Sequence, residues 1–385
     1  MKKRIVSLLL AVSMTAALGA CGGANAPVSA PSSSSAPASS EAPSNSTASA
    51  ADPASSAAAP AETPEVDTIH WARANSGNIF VTLARQLGYF EEVGLTVIED
   101  PVASSTEALT ALGAGQVDVT SNQGTNNPLA QIAAGQDFTI VGGYMLQGMY
   151  LVAKTGTGWN GPEDLLGKKI AAPASTTTLT GPLLDLGHDP INEIEWLTYS
   201  TNSDRLAAVV AGEADYAYLS GDQLFTVGNM DNIEIVAFAS DESLMPAYGC
   251  CRMNMRTQFV KENPTTVKLL LKSLIRAQAY FEAHKEECVS ILAKDIEASE
   301  DYVAAYLLNE NYKIAVDPVR NSVIKTWEIM GATGFLPDTA SSINIEEHIN
   351  IELYKTALDE AMAEYGEEYP EFYAERQEFF KQYNT

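Results

Sequence analysis

Apolar and polar positions alternate along the chain in a regular succession. Residues 68–74 lean apolar with β-branched and aromatic members and predict a strand; Asn75-Ser76-Gly77-Asn78 then reads as a polar turn. Ile79, Phe80, Leu83, Leu87 and Phe90 recur at helical spacing and predict an amphipathic helix closed by Gly94. Strands are expected at 95–98 and 138–141, with a short helix over 128–134 between them. A second series places strands at 149–153, 169–172, 194–197 and 233–238, and a returning strand at 250–254. Beyond Phe259 the pattern turns helical, predicting helices over 265–284, 286–296, 302–308, 319–330, 346–364 and 371–382. Late aromatics such as Tyr369, Phe372, Tyr373, Phe379 and Phe380 are read as packing groups. Strand–helix alternation predicts an α/β fold whose mostly parallel sheets are flanked by helices.

One unit of this pattern occurs twice. Residues 105–125 align without a gap on residues 202–222. Thr106 meets Ser203 as a candidate helix N-cap, and Leu109 and Leu112 meet Leu206 and Val209 on the apolar face. Gly115 meets Gly212 where each helix would stop, Asp118 meets Asp215 at the strand, and Gly124 meets Gly221 just beyond it. The two aspartates are expected to serve the local backbone. Open α/β sheets bind ligands beyond the carboxyl ends of their strands, so two such units predict two lobes facing one cleft.

The amino-terminal region changes the compartment. Lys2, Lys3 and Arg4 precede an apolar run that is short for a membrane span, so residues 1–20 read as a signal peptide. Leu18-Gly19-Ala20-Cys21 resembles the bacterial lipoprotein cleavage box, which implies lipidation of Cys21. Residues 21–65 are almost entirely Ala, Ser, Pro, Gly and Thr, a composition that cannot bury enough apolar area to order itself, and are expected to be a disordered tether. The formal net charge of −26 argues against nucleic acid as a partner. With Cys21 acylated, three of the four cysteines remain, and no disulfide framework is implied. Cys250 and Cys251 are read as buried thiols. The four histidines lack metal-ligand spacing, and no dinucleotide, P-loop or nucleophile-elbow fingerprint is present, so no metal, no cofactor and no catalytic residue is expected.

Five motifs in order carry a family resemblance: residues 83–95 (LARQLGYFEEVGL), 111–119 (ALGAGQVDV), 162–171 (PEDLLGKKIA), 211–217 (AGEADYA) and 259–264 (FVKENP). They resemble the substrate-binding proteins of bacterial ABC importers with the type II periplasmic-binding fold, in the branch that takes nitrate, sulfonate, taurine and thiamine-pyrimidine precursors. The resemblance implies a first lobe formed by 66–145 and 249–345, a second lobe at 146–248, and additional helices at 346–385. It implies an exported, lipid-anchored, monomeric protein that delivers a small solute to a membrane permease with its ATPase and touches the membrane only through its anchor. An aliphatic sulfonate, taurine or nitrate is the first solute class implied, and a pyrimidine precursor or other small heterocycle the second. A pyrimidine-synthase-like enzyme and a surface sensor lipoprotein are the alternatives from other classes.

Candidate ligand contacts follow from loops at strand ends. Ser175, Thr176, Thr177 and Thr178 supply hydroxyls at a helix start, suited to an anionic or carbonyl group. Asn75, Ser76 and Asn78 form the corresponding loop of the first lobe, and Ser121, Asn122, Gln123 and Thr125 follow the first repeated strand. Tyr144 and Tyr218 are placed to cover a ligand, Ser220 ends the second repeated strand, and Arg252 offers a cation. Each has a plain structural counterpart: a cap, a satisfied turn, a core aromatic or a solvent-facing strand arginine.

Overall fold

The computed structural model describes residues 62–246 and 248–385. The expected signal peptide, Cys21 and all but the end of the expected tether lie outside the described residues. In chain order the first elements are β1 (Thr68–Arg73), α1 (Ile79–Gln86), α2 (Tyr89–Glu92), β2 (Thr96–Pro101), α3 (Ser105–Gly113), β3 (Val119–Thr120), α4 (Asn126–Ala133), β4 (Phe138–Gly143) and β5 (Met145–Gln147). Next come β6 (Met149–Lys154), β7 (Lys169–Ala171), α5 (Thr177–Asp185), β8 (Glu195–Leu197), α6 (Asn202–Ala211), β9 (Tyr216–Ser220), α7 (Leu224–Gly228) and β10 (Ile233–Phe238). The chain then returns through β11 (Arg252–Arg256), α8 (Thr257–Glu262), α9 (Pro264–Ala283), α10 (Lys285–Asp295), α11 (Glu300–Leu307), β12 (Lys313–Ile314), α12 (Arg320–Ala332), α13 (Ile351–Tyr365) and α14 (Pro370–Tyr383).

Two five-stranded sheets define a two-lobed α/β fold, ordered β2-β1-β3-β11-β4 and β10-β6-β9-β7-β8. In the first, β1 is parallel to β2 and β3, whereas β11 is antiparallel to β3 and β4. In the second, β7 is parallel to β8 and β9, whereas β6 is antiparallel to β9 and β10. Each sheet is thus parallel except for one reversed strand. That strand is the first to follow a crossing between sheets, β6 after β5 and β11 after the segment that leaves β10. At the first crossing β5 pairs with β12.

The repeated unit folds alike in both lobes, with one correction to its caps. Helix α3 is capped by Ser104, whose Oγ accepts from Glu107 N at 3.2 Å, and α6 by Thr201, whose Oγ1 accepts from Asp204 N at 3.1 Å. Ser104 and Thr201 hold the extended backbone a cap requires, which leaves Thr106 and Ser203 inside the first turn rather than at the cap. Gly115 and Gly212 take left-handed φ values of 72° and 78°, where a side chain would be strained. Asp118 Oδ2 accepts from His70 N at 2.9 Å, and Asp215 Oδ2 accepts from Lys169 N at 2.8 Å. Each aspartate therefore clamps the neighbouring parallel strand, β1 at its third residue and β7 at its first.

The helical carboxyl-terminal region follows its predicted periodicity and packs both lobes. Leu270, Leu271, Leu274 and Ile275 of α9 are buried in the core that also holds Trp71 and Tyr354. Tyr373 and Phe380 are buried in the same core, as expected of packing aromatics. Helix α12 touches α4 of the first lobe and α5 of the second, and α11 rests on α7. Glu65 closes the amino-terminal end of α9, accepting from Thr265 N at 3.0 Å and Thr266 N at 2.7 Å. Among the described residues no helix is long and apolar enough to cross a membrane.

Candidate functional site

The carboxyl ends of β1, β3 and β9 open onto one cavity of about 650 Å³ between the sheets. Asn75 and Ser76 reach it from the loop after β1, Asn122 and Gln123 from the loop after β3, and Ser220 and Asp222 from the end of β9. Tyr144, Met145, Met149, Cys250 and Cys251 line it from the crossings, and Tyr302, Tyr306 and Tyr312 from α11 and the segment after it. A larger cavity of about 860 Å³ lies among the ends of α9, α11 and α14. No end of a main-sheet strand opens onto it, so the smaller one, where polar groups from both lobes converge, is the candidate site.

Local hydrogen bonds set the first lobe's loops. Asn78 caps α1, accepting from Phe80 N at 3.0 Å, and donates Nδ2 to Ser121 Oγ at 3.2 Å. Ser121 donates to Asn122 Oδ1 at 2.5 Å, and Asn122 Nδ2 donates to Gly77 O at 2.7 Å. Asn78 and Ser121 are therefore buried supports, and they leave Asn75, Ser76, Asn122 and Gln123 on the cavity wall. Thr125 is also a support: its buried hydroxyl donates to the carbonyls of Gly249 and Cys250, tying the loop after β3 to the returning chain.

The hydroxyl run does not line the cavity. Thr176 Oγ1 donates to Pro173 O at 2.7 Å, and Thr178 Oγ1 to Tyr218 Oη at 2.7 Å. Asn126 of α4 reaches across from the first lobe, donating Nδ2 to Ser175 O at 2.6 Å, and Thr177 Oγ1 donates to Asn126 Oδ1 at 3.5 Å. Ser175, Thr176, Thr177 and Thr178 thus belong to a seam between lobes, and Tyr218 is buried behind them. Arg252 likewise lies away from the cavity. It is fully buried, with Nη1 donating to Asp317 O at 2.5 Å and Nη2 to Met145 O at 2.9 Å. Burial pulls its pKa down, and its donors serve backbone carbonyls where the chain crosses between lobes.

Tyr144 does line the cavity. Burial raises its phenol to about 12, and its hydroxyl accepts from Ile79 N at 3.3 Å. The second lobe's contribution centres on Asp222. Its Oδ1 accepts from Asn202 Nδ2 at 3.0 Å and from the Ser220 hydroxyl, and its Oδ2 accepts from Gln223 Nε2 at 2.9 Å. Tyr302 and Tyr306 meet edge to face at 5.7 Å, as do Tyr306 and Tyr312 at 5.4 Å. Tyr312 also packs over Gly148 and Gly221, where an added Cβ would lie 2.6 and 3.3 Å from its ring. Cys250 and Cys251 are free, with sulfurs 3.8 Å apart.

Sequence reasoning missed Asp222 and the three carboxyl-terminal tyrosines. The gapless repeat offered a signal for the first, since it sets Asp222 against Thr125. For the tyrosines the available signal was the four-residue spacing of Tyr302 and Tyr306 on one helical face.

The family profile described as NMT1/THI5 like matches residues 75–288, more than half the chain. The periplasmic aliphatic sulphonate binding protein SsuA from Escherichia coli is similar in structure, with a TM-score of 0.61 at 19% identity over 74% of this chain and 92% of that one. The periplasmic nitrate-binding protein NrtA from Synechocystis PCC 6803 gives a TM-score of 0.61 at 15% identity over 77% of this chain and 90% of that one. The desulfurization enzyme DSZB gives 0.53 at 15% identity over 77% and 99%. No curated protein matches the chain. At these identities the structural likenesses show the fold.

Proposed function

The chain belongs to the NMT1/THI5-like family, and on that premise we propose that it is an exported, lipid-anchored solute-binding protein of an ABC importer. The observation that carries this reading is the cavity of about 650 Å³ onto which strand ends of both lobes open. Two crossings join the lobes, near Leu146–Gly148 and Pro246–Gly249, and bending there would open and close the cleft on a small molecule. The closed form would dock on a permease served by an ATPase, and the protein acts as a monomer. Cys21 carries the lipid, and 21–65 is the tether that holds the lobes away from the membrane. The lobe boundaries are those expected from the chain: 66–145 with 249–345, and 146–248. No bond is made or broken in this role. The fold also serves a desulfurization enzyme, yet a pyrimidine-synthase-like reaction would consume a histidine and use a lysine, and among the described residues neither type lines the cavity.

The solute contacts in this reading are Asn75, Ser76, Asn122, Gln123, Tyr144 and Ser220, joined by Asp222 and the tyrosines of α11. Within the importer role the lining favours a polar, non-anionic solute over a sulfonate or nitrate, because among the described residues no Lys, Arg or His lines it. Small-angle scattering on the full chain, stripped of carried-over solute, tests the hinge. A solute that binds should reduce the radius of gyration. Binding without any compaction would defeat the two-lobe closure.

A further inference from the structure

Charge is distributed unevenly over the cavity wall. Among the described residues that line it, Asp222 is the one with a formal charge; the rest are neutral, mostly amides, hydroxyls, tyrosines, thioethers and thiols, with Ile296, Ala298 and two glycines. Arg205 lies close enough to Asp222 for that charge to act on it, but makes no hydrogen bond to the carboxylate: its Nη1 donates to Asn202 Oδ1 at 3.3 Å and Tyr218 O at 3.2 Å. Tyr302, Tyr306 and Tyr312 stand beside the same carboxylate in an edge-to-face ladder. Burial, with the Asp222 charge adding to it, raises the pKa of the Tyr302 and Tyr306 phenols and keeps them neutral. Aromatic faces are electron-rich and attract cations, all the more where water is excluded.

Buried polar atoms without hydrogen-bond partners stand around Asp222 and the cavity wall, Arg205 Nε among them. Gln123 is 3% exposed and lines the cavity, and its Nε2 is unpartnered. Tyr150 is fully buried, its hydroxyl is unpartnered, and it lies close enough to Asp222 for that charge to contribute to its raised pKa. A buried amide without a partner is costly, so Gln123 is expected to find an acceptor when the cleft is filled.

We propose that the solute is a small organic cation, its charge seated against Tyr302, Tyr306 and Tyr312, compensated by Asp222, with an acceptor atom taking the Gln123 amide. This rests on the solute-binding reading above and names the charge class that the cleft selects. It departs from what the printed names of the sulphonate- and nitrate-binding relatives describe, which are anion binders.

Three probes that share a hydroxyethyl arm isolate the charge: choline, its neutral carbon isostere dimethylbutanol, and isethionate. N-methylpyridinium serves as a flat cation. Calorimetric titration of the stripped full chain should rank at least one cation about tenfold or more above the neutral probe, with isethionate weakest. Asp222→Asn should remove most of that preference. Tyr306→Phe should keep it and Tyr306→Leu should reduce it, because the ring face is retained in the first and lost in the second. Equal affinities, a preference for isethionate, or no binding by either cation would overturn the proposal. Scattering on the same samples separates the two readings: compaction by isethionate would leave the hinge standing while removing the cation.

Discussion

β3 and β9 occupy equivalent positions in their sheets, yet at the matched ends Gln123 stands where the second unit has Ser220, and Thr125 where it has Asp222. Behind these tips the two units match in detail. A hydroxyl caps each helix, a left-handed glycine ends it or follows its last turn, and an aspartate clamps the neighbouring strand. The duplicated residues serve backbone geometry, which is the same in both lobes. Of the divergent ones, Gln123, Ser220 and Asp222 line the cavity, so the two units differ in the chemistry they bring to it.

The comparison can be tested at several depths. The largest effect is expected where the lobes differ most within their sheets, at the reversed strands: β11 opens with buried Arg252 and β6 with Met149. Arg252→Ala should cost about 3 kcal/mol or more in denaturant unfolding, since it leaves a cavity and removes donors from two backbone carbonyls. If Arg252 instead contacted solute, the variant would lose affinity with stability intact. Next come the twin aspartates. Asp118 is half-buried and also meets Arg256 at 3.3 Å, whereas Asp215 is exposed. Asp118→Ala should therefore cost about 2 kcal/mol and Asp215→Ala about 1 kcal/mol, and equal losses would mean the clamp alone matters.

A pH dependence is expected where Glu65 meets the amino-terminal end of α9. Partial burial pushes the Glu65 carboxyl up, but hydrogen bonds from Thr265 and Thr266 outweigh it and hold the group at about 2 against an ordinary 4.5. A depressed carboxyl contributes its stability above the ordinary value and loses it as pH falls toward the folded value. Glu65→Gln should thus cost ~1 kcal/mol near neutral pH, after allowance for solvent screening. The difference from the parent should shrink as pH falls from about 4.5 to about 2. A gap that stays constant through that range would show that charge is not the cause. The smallest effects are expected at the matched caps. Ser104→Ala and Thr201→Ala should each cost about 0.5–1 kcal/mol, in step with one another, as thermal melts of the two variants would show.

Much of this fold was legible because its signals are local. The face formed by Ile79, Phe80 and Leu83 and the stops at Gly115 and Gly212 depend on neighbours within a turn or two. The site was less legible because its geometry depends on distant partners. Four hydroxyls at 175–178 suit an anion equally well whether or not Asn126 from the other lobe already occupies them, and no local pattern reveals Asn126. Arg252 could face solvent, solute or a buried carbonyl until β4, β5 and the Asp317 turn are assembled around it. Tyr302 and Tyr306 stand on α11, which lies against α7, and Tyr312 packs on Gly148 and Gly221, all contacts between segments far apart in sequence.

The reversed strands also set an order of assembly. Every hydrogen-bonded neighbour in the second sheet is encoded within residues 149–238, so that sheet can close as soon as those residues are available. The first sheet, although made earlier, waits for β11, because β3 and β4 each pair with it. As the polypeptide emerges from amino to carboxyl end, the half synthesised first is the half completed last, and its unpaired strand edges stay open to other chains through the interval. Lengthening the segment between β10 and β11 would prolong that interval and raise the yield of aggregate during refolding, even where the finished protein is equally stable.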